Sequence, residues 1–484
     1  MKAFGNIAKD GQVRAIASDA ITDGKPVVVN SDGTVSVISG SSASESLGTQ
    51  SRFSNDDIQE PQVVYDSNSD RVVVAYTNNT SQRQGRCKVG AISGTDISYG
   101  SEVSFTTAST DYIGITFDSN SNRIVIVFRD KSNSNYGTAI VGTVDSSDNS
   151  ISFGTEVVFN SSSTISMENG VTFDSTNQKI VIGFVDLGNS SYAKAIVGTV
   201  DSSDNSISFG SITNFKNATT RSVAASYSSG QGKVLFCYKV GNTGKGIVGT
   251  VSGTGISFGD EAQFLGSEAN LIDLAYSSSL DKHILVYHDT NDGGDGNVRT
   301  ATISGTDVTF GTAVDFETGS TVLNSVTYDE TANKFVTFTV DDQNSARPTY
   351  NSGTVSGTDV SVGTPVVVDS TSQANFPSVI STKDGKSVLV YKDGSTDGDS
   401  NVLQLAFEST NLTSENFIGF SDGAFADGES AVVNTTSTID RNQSSLTAGQ
   451  TYFVQTNGTL GTTADDPSVT AGTAISATEI IVKG

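Results

Sequence analysis

The chain has 484 residues, with 28 Lys and Arg against 53 Asp and Glu, for a formal charge of −25. Such a field repels nucleic acid and anionic lipid, so no nucleic-acid partner and no membrane insertion is expected. Gly is abundant (49), Trp is absent, and regular Val, Ile, Phe and Tyr runs alternate with Ser, Asn, Asp and Gly clusters, which reads as many short strands and tight turns rather than disorder.

The N-terminal run, residues 1–10, lacks the apolar core of a signal peptide. No later run reaches the length of a membrane helix. Synthesis in a cytoplasm is expected, with any later release by a route other than general secretion. Residues 18–24 lead through an Asp-Gly turn into Val27, Val28 and Val29, a strand–turn–strand pattern that returns at 421–428 followed by 431–434.

Between these flanks the chain repeats. The string at 139–154 returns letter for letter at 195–210. An Ile/Val–Ser/Thr–aromatic–Gly signature ends at Gly100, Gly154, Gly210, Gly259 and Gly311, and a weaker Val-Ser-Val-Gly ends at Gly363, at spacings of 49 to 56 residues. In the second copy, strand a falls at 113–118, b at 123–128, c at 138–144 and d at 150–159, with a bend at Gly154. Strand b recurs seven times, at 72–76, 124–128, 180–184, 234–238, 284–287, 335–338 and 388–391, in nearly unbroken apolar runs that suit burial on both faces. Four strands per copy and a period near 50 imply an all-β fold, a seven-bladed β-propeller. Strand c of the seventh copy is placed at 402–407. That copy lacks its own strand d, and residues 46–53 carry the d pattern. The expected closing strand is therefore about 46–53, within a propeller of 44–408. The flanks, 1–43 and 409–484, would form one small β domain for attachment.

Cys87 and Cys237 sit in apolar runs and read as small buried hydrophobes, so no disulfide framework is expected. A basic residue precedes strand b in every copy: Arg71, Arg123, Lys179, Lys233, Lys282, Lys334 and Lys386. Asp66, Asp118, Asp174 and Asp329 stand five residues earlier, as cross-strand ion-pair partners. Strand b is followed by Asp130, Asp186, Asp289, Asp341 and Asp393, which start loops of variable length. Variable loops on a fixed scaffold are candidate ligand-binding positions, and loop-initiating Asp is the plain alternative. Asp393, Asp397 and Asp399 alternate as calcium ligands would, and residues 289–295 are similar, although neither loop has the twelfth-position Glu. No other cofactor is expected. The two histidines, His283 and His288, lie at opposite ends of one strand and cannot share a zinc. No Ser/His/Asp set or carboxylate pair stands out, so the chain is expected not to be an enzyme.

The stretches 446–458, 464–476 and 480–484 resemble a module at the ends of predicted virion proteins of marine tailed bacteriophages, and residues 21–35 are similar to its N-terminal companion. The resemblance covers about a quarter of the chain. It implies a virion structural protein, of fibre, spike or tail-associated type, that docks on other virion proteins through its flanks. The propeller would then face a host-surface glycan or receptor. A glycan-processing propeller enzyme is the alternative. The absence of Trp removes the usual Asp-box and Trp-Asp blade signatures.

Overall fold

The computed structural model describes residues 11–394, 397–465 and 467–483. The N-terminal run 1–10, Ser395 and Thr396 of the seventh b–c loop, and Asp466 and Gly484 of the C-terminal motif lie outside the described residues. Every regular element is a strand. The chain divides into two units, residues 44–406 and residues 1–43 with 407–484.

The larger unit is a seven-bladed propeller. Blade 2 shows the plan: the second half of Val103–Asp118 (strand a) pairs with Arg123–Asp130 (b), which pairs with Tyr136–Asp145 (c), which pairs with Ser150–Phe153 (d). The inner strands a contact one another in cyclic order around all seven blades, with Ala374–Ser381 of blade 7 meeting Ile58–Asp66 of blade 1. Strand b supplies the core. Alternate residues face opposite neighbours: Val72, Val74 and Tyr76 pack toward blade 7, while Val73 and Ala75 pack toward blade 2. Each pair of adjacent blades encloses its own apolar cluster, seven in all, which explains why strand b cannot carry a polar face. Full burial of each Val, Ile or Phe stabilises by about 1.5–3 kcal/mol.

The signature residues act between blades. The predicted single strand d breaks at Gly154 into Ser150–Phe153 and the start of Val157–Ile165, and both pieces pair with the same strand c. A Cβ on Gly154 would lie 2.1 Å from the carbonyl oxygen of Asn205, in the c–d turn of the next blade. Gly100 meets Asn149 in the same way, Gly210 meets Thr254, Gly259 meets Thr306 and Gly311 meets Thr358. The aromatic before each glycine packs on a Phe of the preceding blade, as Phe153 does on Phe105 and Phe209 on Phe159, at 6.2 and 5.7 Å between ring centroids. The weak signature at Gly363 has a structural reason. Blade 7 has no c–d hairpin for it to receive, because its strand d comes from the other end of the propeller. Ser46–Leu47 and Ser51–Ser54 pair antiparallel with Gly398–Gln404, and Gly48 abuts Thr95 of blade 1 as the other kink glycines abut their neighbours.

Two local expectations are corrected. Strand c of blade 7 ends at Gln404, and Phe407 belongs to the other unit, where Phe407–Thr410 pairs with Gly40–Ala43. The Asp–cation pairs across the a–b turns do not form. Asp66 instead accepts the amides of Asn68 and Ser69, and Asp118 those of Asn120 and Ser121, closing their own turns. The two arginines reach across blades. Arg71 donates to Asn149 Oδ1 (2.6 Å) and the Ser146 carbonyl (2.8 Å), and Arg123 to Asn205 Oδ1 and the Ser202 carbonyl (2.6 Å each). Spacing placed each pair on one hairpin, but a long guanidinium gains more from a carbonyl-rich neighbouring turn than from a carboxylate already engaged with amides.

The smaller unit is built from both flanks. One sheet runs Gln12–Ile16, Ser430–Asn434, Phe417–Ser421, Pro26–Val29, Val35–Val37, so the two similar strand–turn–strand segments interleave about a local two-fold, with Ile21 bridging Phe425. A second sheet holds Ile439–Asp440, Ile480–Val482, Val469–Ala474, Thr451–Val454 and Leu460–Gly461. Val28, Phe417, Phe420, Tyr452 and Ile480 share one core between the two sheets.

Candidate functional site

Four of the five Asp residues at the ends of strands b hold equivalent turn positions. Asp130 accepts the amides of Ser132 and Asn133, Asp341 that of Asn344, and Asp289 that of Asn291. Asp186 accepts the Gly188 amide and is paired with Lys194 at 2.7 Å. Their side chains fold back on their own loops, as loop-initiating Asp does. Asp393, Asp397 and Asp399 do converge, but on Arg52, whose guanidinium lies 3.5, 2.6 and 3.0 Å from them. A cation from the closing strand thus supplies the charge that the calcium reading invoked. Burial raises the Asp399 carboxyl, and Arg52 pulls against that rise. In the second loop, Asp292 and Asp295 join Asp315 to form the one such group among the described residues, with ligand atoms within 4.8 Å of one another. Asp292 and Asp315 are exposed.

The site that sequence reasoning missed lies at the centre of the ring. Strand a carries a β-bulge near its start in six blades, opposite the end of strand b, as between Asp111 and Gly114, and in blade 3 it is interrupted between Ile165 and Val171. The bulge residue is left-handed without being glycine in six blades: Glu60 (φ 52°), Tyr112 (53°), Ser166 (60°), Ser222 (52°), Leu271 (51°) and Phe376 (54°). Leu323 takes the equivalent place in blade 6. A left-handed Leu, Tyr or Phe costs about 1–3 kcal/mol, and such strain concentrates where side chains are aimed at a function. All of these residues line one cavity of ≈350 Å³ on the face of the b–c turns.

The cavity has two chemical sides. Blades 1 to 3 give an acidic arc of Glu60, Gln62, Tyr112, Glu168 and Asn169. Blades 5 to 7 give an apolar arc of Leu271, Ile272, Leu323, Phe376 and Pro377, and Arg221 and Ser222 of blade 4 lie between them. Glu168 arrives by an insertion: residues 166–170 lie between Ile165 and Val171, where the matching positions of blade 2, Asp111 and Ile115, enclose three residues. Glu60 accepts the Tyr112 amide at 2.5 Å. Burial, then repulsion from Asp111, pushes its carboxyl up to about 7. Burial, then repulsion from Glu60, pushes Glu168 up to about 8. Arg129 is bound to Asp111 (Nε–Oδ1 2.6 Å) and lies 4.6 Å over the Tyr112 ring. Below, a polar chamber of ≈340 Å³ contains Asp273, which accepts the amides of Leu274 and Val326 and the Ser325 hydroxyl. Burial pushes its carboxyl up to about 7. The one sequence signal for this site was length: the third copy, which carries the insertion, is the longest at 56 residues.

The fold and site define a seven-bladed propeller with a strained central cavity. No family model matches the chain, and no curated protein matches it. Among solved structures it is similar to the NanB sialidase of Streptococcus pneumoniae, with a TM-score of 0.42 at 11% identity over 75% of this chain and 71% of that one. It is also similar to the periplasmic gluconolactonase of Pseudomonas aeruginosa, with a TM-score of 0.47 at 12% identity over 74% and 96%. A protein of unknown function from Dyadobacter fermentans matches with a TM-score of 0.42 at 8% identity over 76% and 99%. At these identities the likeness is one of fold.

Proposed function

We propose that the propeller is a binding module whose ligand, a small hydroxyl-rich molecule such as a glycan terminus, seats in the central cavity. The carrying observation is that the ring spends backbone strain in six blades to aim side chains at a single point. Polar groups on one side and Leu271, Leu323 and Phe376 on the other suit a sugar, which has hydroxyl edges and an apolar face. In this reading the protein is a non-enzymatic component of a phage particle. The unit built from the flanks docks on other virion proteins, and the propeller meets the host surface. The resemblance of the flanks supports that role. A glycan array with the full chain tests the binding claim: Phe376→Ala should weaken every hit at least tenfold, and hits indifferent to both Phe376→Ala and Leu271→Ser would move the site elsewhere. Detection of the chain outside assembled particles alone would count against the virion role.

A second reading is a glycan-processing enzyme, favoured by Glu60 and Glu168, whose raised carboxyls are of the kind that donate protons near neutrality. Release of reducing sugar, abolished by Glu168→Gln, would establish it.

A further inference from the structure

We infer that the ligand of the central cavity carries a protonated amine, held against Glu60 and Glu168, with its apolar face on Leu271, Leu323 and Phe376. This rests on the reading of the cavity as the binding site and narrows its ligand class to amino-bearing, hydroxyl-rich molecules.

Two carboxyl groups face one recess, and the two basic groups nearest Glu60, Arg83 and Arg129, are engaged elsewhere. On strand a of blade 2, Asp111 takes Arg129, with Lys131 at 3.6 Å. Arg83 donates to Gln59 and Asn79, at 2.9 Å each. Arg221, on the blade 4 side, donates to the Thr220 carbonyl. Glu168, deep in the recess, is held by backbone amides, its own and that of Met167. Glu60 has the Tyr112 amide. Neither carboxyl is bonded to a cation.

A carboxylate taken from water without a counter-charge costs several kcal/mol, and a partner that brings the charge recovers much of it. A neutral sugar would leave that debt standing. A bare divalent ion would satisfy the acids but give no role to the apolar arc, which lies across the same cavity on strained bulges. An ammonium on a small carbon skeleton uses both sides. It ionises the pair and sets its hydrocarbon face against Phe376, while the hydroxyls reach Asn169 and Asn324.

Calorimetric titration of the full chain with the glucosamine dimer and with its N-acetylated, neutral counterpart at pH 7 tests this. The amine form should bind at least tenfold more tightly. Glu168→Gln and Glu60→Gln, which keep shape and remove charge, should each cut that preference to about twofold or less. Thermal midpoints at pH 6 no lower than the parent's would show both variants folded. Equal affinity for the two dimers, both lost in Phe376→Ala, would overturn the amine while leaving the cavity as the binding site. Displacement of the amine by millimolar calcium or magnesium would also overturn it, in favour of a metal. No binding of either dimer would overturn this inference and, if the glycan array is also blank, the reading beneath it.

Discussion

Glu60 and Glu168 hold protons near neutrality that the unfolded chain, with Glu at its ordinary 4.5, has already released. The folded state therefore binds more protons between about pH 4.5 and 8, and stability must fall as pH rises through that window, by up to about 1.4 kcal/mol per pH unit for each group. Thermal midpoints measured from pH 5 to 9 should decline in the parent, and the double change Glu60→Gln, Glu168→Gln should flatten the decline. His283 has the opposite effect. It is 1% exposed, packs on Tyr276, has no partner for either ring nitrogen, and burial depresses it to about 3. The unfolded chain takes up that proton near 6.5, so the imidazole costs stability as pH falls below 6.5. Between pH 7 and pH 5 this loss opposes the gain from the two acids, so in urea titrations His283→Leu should gain about 2 kcal/mol more than the parent over that interval. Gly154 has a steric role. Gly154→Ala must displace the Asn205 turn and should destabilise by roughly 3 kcal/mol, whereas Gly255→Ala, whose Cβ would meet nothing closer than 3.6 Å, should be nearly neutral by the same thermal assay.

At the scale of elements, what could be read in the sequence and what could not separate by mechanism. Strand b is legible because burial on both faces forces every position to be apolar or small, and the c–d turn is legible because Asx-type turns need Asp, Asn and Ser. The d-like run at 46–53 keeps Ser46, Gly48, Thr49 and Phe53 in the places of its counterpart at 152–159, and the structure pairs it with Gly398–Gln404. The bulges left no trace. Their left-handed residues are Glu, Tyr, Ser, Leu and Phe rather than Gly or Asn, so a conformation imposed by the ring has no local code. The Asp residues at the ends of strands b attracted attention because they repeat, and they repeat because every blade needs the same turn. The closing strand carries its own test. Arg52 bridges three carboxylates, one of them, Asp399, almost fully buried, and Arg52→Ala should cost about 1–3 kcal/mol. Hydrogen exchange should locate the loss first in Ser51–Ser54 and Gly398–Gln404. Exchange that loosens elsewhere first would place the weakest joint in another blade pair.

At the scale of the whole molecule, the propeller is an insertion with adjoining ends. Ser46 pairs with Gln404 on one side of the junction, and Ala43 with Phe407 on the other. Each unit therefore closes on itself, and neither needs the other chain end to complete a sheet. Residues 44–406 produced alone should melt in a single cooperative transition within a few degrees of the corresponding transition in the full chain. A fragment starting after Ser54 should not, since it leaves blade 7 without its fourth strand and an edge open.

The same closure sets a delay during translation. The segment around Leu47 leaves the ribosome well before its partner Leu403, which is made some 350 residues later. At about 5–20 residues per second that interval is roughly 20–70 s. Throughout it, a strand with unsatisfied backbone groups waits beside six growing blades whose own strand d segments carry nearly the same letters. The kink at Gly48 and the charge on Arg52, which meets three carboxylates in blade 7, give the nascent strand a reason to wait for that neighbour.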